Sequence, residues 1–204
     1  MIVVIDYGMG NLHSVAKALK RIHVDTKISS DAADISSAHK LILPGVGHYK
    51  RGMENLRDLG IIDVLNKSVI DNKIPILGIC LGMQLFTKHS EEGDVEGLGW
   101  LDAKTVKFSF ENQTKFRIPH IGWNTIHMEN KSPLFDNIKD SESFYFVHSY
   151  YVTCEIQVEI TSHTEYGCRF TSSIAKENIF ATQFHPEKSH DQGLAVLKNF
   201  IDKI

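Results

Sequence analysis

The sequence predicts an α/β protein with a mostly parallel central sheet flanked by helices and antiparallel additions in the C-terminal half. Three observations predict it. Before Ser90, short apolar runs (Ile2 to Ile5, Lys40 to Leu43, Ile74 to Ile79) alternate with segments of helical periodicity, the rhythm of strands buried on both faces between covering helices. After Ser90-Glu91-Glu92-Gly93 the texture changes to strand-like segments separated by turn residues. Finally, 204 residues with 42% hydrophobic and 23% charged side chains suffice for one complete core. No linker divides the halves, so a single domain over residues 1–204 is expected.

In chain order, the β-branched run Ile2 to Ile5 ends in Asp6-Tyr7-Gly8-Met9-Gly10. Asn11 can cap a helix whose Leu12, Val15, Ala16, Leu19 and Ile22 share one stripe, with Lys17 and Arg21 opposite. Thr26 to Ser29 is a weaker strand. Lys40 to Leu43 is a stronger one and runs into Pro44-Gly45-Val46-Gly47, where glycines at a strand end let backbone N–H groups face a ligand. Helical segments follow over about Tyr49 to Leu59 and Ile61 to Ile70. In the second half Thr105 to Phe110, Phe144 to Thr153, Gln157 to Ser162 and Ile179 to Gln183 read as strands. Leu194, Leu197, Ile201 and Ile204 form the stripe of a closing helix from Asp191 to Ile204.

The stretch Ile74-Pro75-Ile76-Leu77-Gly78-Ile79-Cys80-Leu81-Gly82-Met83-Gln84 reads as a buried strand that turns abruptly into a helix. Such a turn exposes one side chain, here a cysteine. The flanking glycines are expected to tolerate a strained turn and to leave room for a substrate. The helix start presents its positive end to the sulfur. Cys80 is therefore a candidate nucleophile, against the plainer reading of a small buried hydrophobe. In Phe184-His185-Pro186-Glu187, residues two apart on an extended backbone share a face, so His185 and Glu187 can touch, and Pro186 is expected to keep the segment extended. A carboxylate beside an imidazole sets its tautomer, and that imidazole can take a proton from a thiol. Alone, His-x-Glu is a weak signal among 11 histidines; beside the Gly-x-Cys-x-Gly elbow it supplies base and orienter.

The formal net charge of -3 gives no electrostatic reason for nucleic acid or an anionic membrane as partner. Met1-Ile2-Val3-Val4-Ile5-Asp6 lacks a basic leader, and no apolar stretch is long enough to span a bilayer. The three cysteines lack CxxC spacing, so neither a disulfide framework nor a metal site is suggested, no cofactor is called for, and a reducing cytoplasm fits best.

Taken together and in order, Pro44-Gly45-Val46-Gly47, Gly78 to Gln84 and Phe184 to Glu187 resemble the class I (triad-type) glutamine amidotransferases. Within them the opening Asp6 to Leu12, Pro119-His120-Ile121-Gly122-Trp123-Asn124 and Phe146-Val147-His148-Ser149-Tyr150-Tyr151 are similar to the glutaminase subunits of imidazole glycerol phosphate synthases. The resemblance implies that Cys80 attacks the side-chain amide of glutamine, that His185 moves the protons, and that Glu187 orients His185. It implies an oxyanion hole from backbone N–H groups of Leu81 and of the Val46-Gly47 turn, one such donor contributing about 3 kcal/mol. Gln84 and the backbone at Ser149-Tyr150 would hold the amino-acid end of glutamine. No acceptor-binding domain is expected in the chain, so the implied partner is a (βα)₈-barrel cyclase in a heterodimer, receiving ammonia through a channel. Asn11, Trp123 and Lys188 would face that partner.

The segment Gly97-Leu98-Gly99-Trp100 departs from the usual family pattern, in which a Pro-Gly turn follows the glycines. That keeps open a glutaminase subunit supplying a sugar amidotransferase in surface-polysaccharide synthesis. A cysteine hydrolase or peptidase on the same elbow, and a regulatory subunit with a dead site, are the rivals from other classes.

Overall fold

The apolar runs become strands, and what lies between them becomes helix. A computed structural model of the chain describes residues 1–110 and 116–204. The first half comprises β1 (Ile2–Ile5), α1 (Leu12–Arg21), β2 (Thr26–Ser29), α2 (Ala32–Ser37), β3 (Lys40–Gly45), α3 (Tyr49–Asp58), α4 (Ile62–Asn66), β4 (Ile76–Cys80) and α5 (Leu81–Leu85). The second comprises β5 (His89–Ser90), β6 (Val95–Glu96), β7 (Ala103–Lys107), β8 (His120–Thr125), β9 (His127–Met128), β10 (Ser143–His148), β11 (Tyr150–Cys154), β12 (Ile160–Glu165), β13 (Arg169–Lys176), β14 (Ile179–Thr182) and α6 (His190–Lys203).

Strands β2, β1, β3, β4 and β14 lie side by side in parallel, and β13, β11 and β7 extend the same sheet antiparallel. Period-two alternation splits the runs between two cores. Val3, Ile5, Leu41 and Leu43 face a layer with Tyr49, Met53, Leu56 and Leu65 of α3 and α4. Val4, Ile42 and Leu77 face the other layer, with Val15 and Leu19 of α1, Val196, Leu197 and Phe200 of α6, and a group of aromatic rings. Each fully buried aliphatic or aromatic side chain of this kind contributes about 1.5–3 kcal/mol.

Several expectations are corrected. The strand expected over Phe144 to Thr153 is two strands in two sheets: among the described residues β10 pairs only with β8, in a separate two-stranded sheet, and β11 joins the main sheet. The strand expected over Thr105 to Phe110 ends at Lys107, because Phe108 and Phe110 turn into the aromatic cluster. Gln157–Glu159 is a 3₁₀ turn, and the strand begins at Ile160. The second helical segment, expected over Ile61 to Ile70, is α4 continuing into a π-helical turn over Lys67–Asp71. Helix α2 is short and was signalled only by its cap, Asp31, whose carboxylate accepts from the N–H groups of Ala33 and Asp34. Strand β13 reads as polar, yet Ser172 and Ser173 are fully buried with their hydroxyls paired to Ser162 and Thr161 across the ladder.

The strained residue of the elbow is the cysteine itself, at φ 55°, ψ -106°. Its flanking glycines serve packing. A Cβ on Gly82 would meet the Leu43 carbonyl oxygen at 1.8 Å, and one on Gly78 would meet the Phe86 ring at 2.5 Å. Gly82 is thus what lets α5 lie directly on β3. Gly82→Ala overpacks this contact by about 3 kcal/mol or more, so thermal denaturation should show Tm lowered by roughly 6–12 °C. An unchanged Tm would mean that α5 is not seated on the β3 backbone.

Candidate active site

In the parallel register Cys80 pairs with Gly45, which sets the sulfur beside the turn that follows β3. Both stand at the carboxyl edge of the sheet, where ligands of α/β folds bind. The next parallel neighbour, β14, ends two residues before Phe184 and delivers His185 to the same edge. Three segments distant in sequence therefore converge because their strands are adjacent. Cys80 is 5% exposed, and its sulfur lies 3.7 Å from the Val147 carbonyl and 3.7 Å from the Gln183 amide nitrogen.

His185 is held on all sides. Its N–H donates to the Tyr145 carbonyl at 2.9 Å, and its carbonyl accepts from the Ser189 hydroxyl at 2.6 Å. Its Nδ1 donates to Glu187 Oε1 at 2.8 Å, and among the described residues Nε2 faces only the Cys80 sulfur. Burial opposes charge on this ring, but the adjacent Cys80 sulfur and the Glu187 carboxylate outweigh it and raise the imidazole to about 10. These neighbours favour the protonated ring, whose Nε2 faces the sulfur. The contact with Glu187 forms differently from expectation: Pro186 opens a 3₁₀ turn over Pro186–Lys188, its fixed φ suiting a first helical position, and the turn folds Glu187 back onto His185.

The sulfur opens into a cavity of about 430 Å³. Val46, Gly47 and Leu81, the expected oxyanion donors, are among its lining residues. The N–H groups of the first turn of α5 have no intrahelical acceptor, and Gly47 adopts φ 110°. Ser149 and Tyr150 form the facing wall, with Gln84 at its base. Gln84 is 4% exposed, not a surface helix residue. Its amide nitrogen donates to the Tyr150 carbonyl at 2.9 Å and to Gln183 Oε1 at 3.1 Å, so its own Oε1 remains as the acceptor for a ligand. Lys188 reaches the rim, its ammonium 5.7 Å above the Tyr145 ring. Trp123 is 48% exposed and stacks on His190, so it is no core residue. Asn11 lies apart from the cavity lining and caps α1 through Ser14 N–H, as its sequence position predicts.

Two residues of the site escaped the sequence reading. Glu92 lines the cavity and accepts from the Tyr49 N–H at 2.7 Å; its signal was only a turn flanked by serine and glycine. Gln183 was read as the end of a strand, but a fully buried amide two residues before His185 marks a polar network. Among the described residues no group of His, Cys, Asp and Glu is arranged to hold a metal ion, and no helix is long and apolar enough to cross a membrane.

A cysteine on a strained strand-to-helix elbow, facing an imidazole that a buried carboxylate orients, is the arrangement that cysteine-nucleophile acyl transfer requires. The chain belongs to the class I glutamine amidotransferases, whose family model, Glutamine amidotransferase class-I, matches residues 3–204. It is 53% identical over 201 residues to imidazole glycerol phosphate synthase subunit HisH 2 of Methanococcus maripaludis, covering 98% of each chain. It is 48% identical to subunit HisH 1 of Campylobacter jejuni strain RM1221, over 98% of this chain and 99% of that one. Its fold is similar to a crystal structure described as glutamine amidotransferase, with TM-score 0.75 and 20% identity over 98% of this chain and 99% of the other. It is also similar to PurLQS of Thermotoga maritima, with TM-score 0.74 and 19% identity over 99% and 97% of the two chains.

Proposed function

We propose that the chain is the glutamine-hydrolysing subunit of an imidazole glycerol phosphate synthase and acts as one glutaminase domain. The convergence of Cys80, His185 and Glu187 in a closed, charge-paired arrangement carries the glutaminase reading. The near-full-length identity to subunits of that synthase supports the pathway. The Cys80 sulfur attacks the side-chain amide carbon of glutamine, and the carbonyl becomes an oxyanion held by the N–H groups of Leu81 and the Val46-Gly47 turn. His185 gives its Nε2 proton to the departing nitrogen, the C–N bond breaks, and ammonia leaves a glutamyl thioester on Cys80. Neutral His185 then takes a proton from water, whose oxygen attacks the thioester; collapse frees glutamate and returns the proton to the Cys80–His185 pair. Gln84 Oε1, the Ser149-Tyr150 backbone and Glu92 suit the amino-acid end of the substrate, Glu92 offering a carboxylate to its ammonium.

The ammonia passes to a (βα)₈-barrel cyclase in a cytoplasmic heterodimer, through a channel. Ile121 at 59% exposure, Trp123, Ile118 and Val46 offer that partner apolar contacts, two of them in the strand β8, and Trp123, Lys188 and Asn11 are its contact residues on this side. A second reading, supply of ammonia to a sugar amidotransferase, draws on the existence of two proteins named HisH in Methanococcus maripaludis, 53% and 43% identical to this chain. The Gly97-Leu98-Gly99-Trp100 departure does not add to it: Trp100 is 6% exposed, packs on Phe86 and donates to Asn66.

The test is glutamate release from glutamine by the purified chain, alone and with the histidine-pathway cyclase and its nucleotide substrate. Stimulation of at least about tenfold, 1.4 kcal/mol of barrier, is expected. Glutamine hydrolysis that the cyclase leaves unchanged would overturn the pathway and favour the second reading.

A further inference from the structure

The wall of the cavity is a crossing point. His148 is the last residue of β10 and pairs in register with His120, the first of β8; Ser149 leaves this small sheet, and Tyr150 begins β11 of the main one. Backbone pairing beyond His148 therefore belongs to another sheet. What spans the crossing is a chain of side-chain hydrogen bonds. His148 Nδ1 lies 2.8 Å from the Tyr150 carbonyl, His120 Nδ1 lies 2.9 Å from His148 Nε2, and Asn124 Nδ2 lies 3.2 Å from His120 Nε2.

Each bond has one possible direction. A carbonyl only accepts, so His148 Nδ1 carries the hydrogen. A neutral imidazole has one N–H, so His148 Nε2 is a lone pair and must accept from His120 Nδ1. His120 Nε2 is then the acceptor for the Asn124 amide. Both rings are neutral because both are buried, at 2% and 5% exposure, among Tyr166, Phe146, Phe108 and Phe170, with no carboxylate paired to either among the described residues. Burial holds them at about 4 and about 3. Beyond Tyr150 the order continues: its carbonyl also accepts from Gln84, whose second hydrogen goes to Gln183.

We propose that Asn124 and His120 select the Nδ1–H tautomer of His148, and that this tautomer positions the Tyr150 carbonyl and Gln84 for glutamine. The two histidines are positioning residues, not catalytic ones. In the other tautomer the Nδ1 lone pair of His148 would oppose the Tyr150 oxygen, pushing the wall away and freeing Gln84 to rotate its amide. The inference rests on glutamine being the substrate of this cavity.

The test uses the full chain and two variants of one residue. Asparagine places an amide N–H near the site of Nδ1, so His120→Asn keeps the donor to His148, whereas His120→Leu removes it. Glutamine protection of Cys80 from iodoacetamide reports affinity without a partner, and the unprotected alkylation rate reports the Cys80–His185 pair. His120→Leu should raise the half-protecting glutamine concentration about tenfold, the scale of one lost buried hydrogen bond, with alkylation within about twofold of wild type. His120→Asn should stay within about threefold. Should His120→Leu fail to fold, Asn124→Asp removes the first donor from a half-buried position and should raise the concentration about threefold. Nitrogen-15 imidazole shifts of the wild-type chain should report His148 as the neutral Nδ1–H tautomer.

Unchanged protection in His120→Leu or Asn124→Asp, His120→Asn no better than His120→Leu, or a His148 Nε2–H tautomer would each overturn the proposal. Wild-type Cys80 left unprotected by glutamine would instead sink the glutaminase reading, and this proposal with it.

Discussion

Cys80→Ala is expected to lower glutamate release from glutamine by about 10⁶-fold, the loss that follows removal of a nucleophile whose partners have no other route to the thioester. Among the described residues that line the cavity, Cys80 carries the only thiol, and His185 Nε2 faces it. The fold should survive, because alanine inherits the positive φ of position 80 without adding volume. With the cyclase partner present, free ammonia should still support synthesis at the wild-type rate. Retention of glutamine hydrolysis within tenfold of wild type would eliminate Cys80 as nucleophile. Loss of the ammonia-dependent reaction as well would point to a failure of assembly.

Glu187→Gln should lower kcat by about 10³–10⁴-fold, the scale seen when a carboxylate that orients a catalytic imidazole is neutralised. Glu187 is 3% exposed at its side chain, and among the described residues its second oxygen, Oε2, has no hydrogen-bond partner, so the carboxylate is committed to His185. A carboxamide can present its N–H to the ring, which favours the tautomer with the hydrogen on Nε2 and lone pair on Nδ1. It also withdraws the negative charge that helps hold His185 at about 10, so the imidazole pKa must fall. The sign for stability follows from linkage. A histidine whose folded pKa is raised contributes stability that is complete below the unfolded value, about 6.5, and is lost as pH rises through about 10. In the variant the loss still begins near the unfolded value but is complete at a lower pH, so it is smaller in total. Thermal denaturation between pH 7 and pH 10.5 should therefore show a smaller alkaline decline that levels off nearer neutrality, alongside the kinetic defect. A kcat within tenfold of wild type with an unmoved alkaline limb would show that Glu187 neither orients nor charges His185.

The parallel half was legible because its signals are local. A strand buried on both faces must be apolar throughout, as Ile2 to Ile5 and Ile76 to Ile79 are, and α1 carries both its cap at Asn11 and its stripe in ten consecutive residues. The second half was less so. Strand β13 hides its burial in serine and threonine hydroxyls whose partners lie on β12, and the split between β10 and β11 depends on which neighbour each side of Ser149 finds. The same divide runs through the site. Cys80 announced itself by a strand-to-helix break, and His185 and Glu187 by their spacing, although the 3₁₀ turn that joins them reverses the extended backbone the proline suggested.

What the sequence by itself determined is the chemistry: the types, order and local geometry of nucleophile, base and orienter, because each rests on a few consecutive residues. Only the tertiary structure decided the surroundings that make those groups selective. Gln183 beside the sulfur, Glu92 on the cavity wall and the His120–His148 pair, 28 residues apart, are brought to one place by strand order. Their hydrogen-bond directions follow from burial, and neither strand order nor burial is a property of any short stretch of chain.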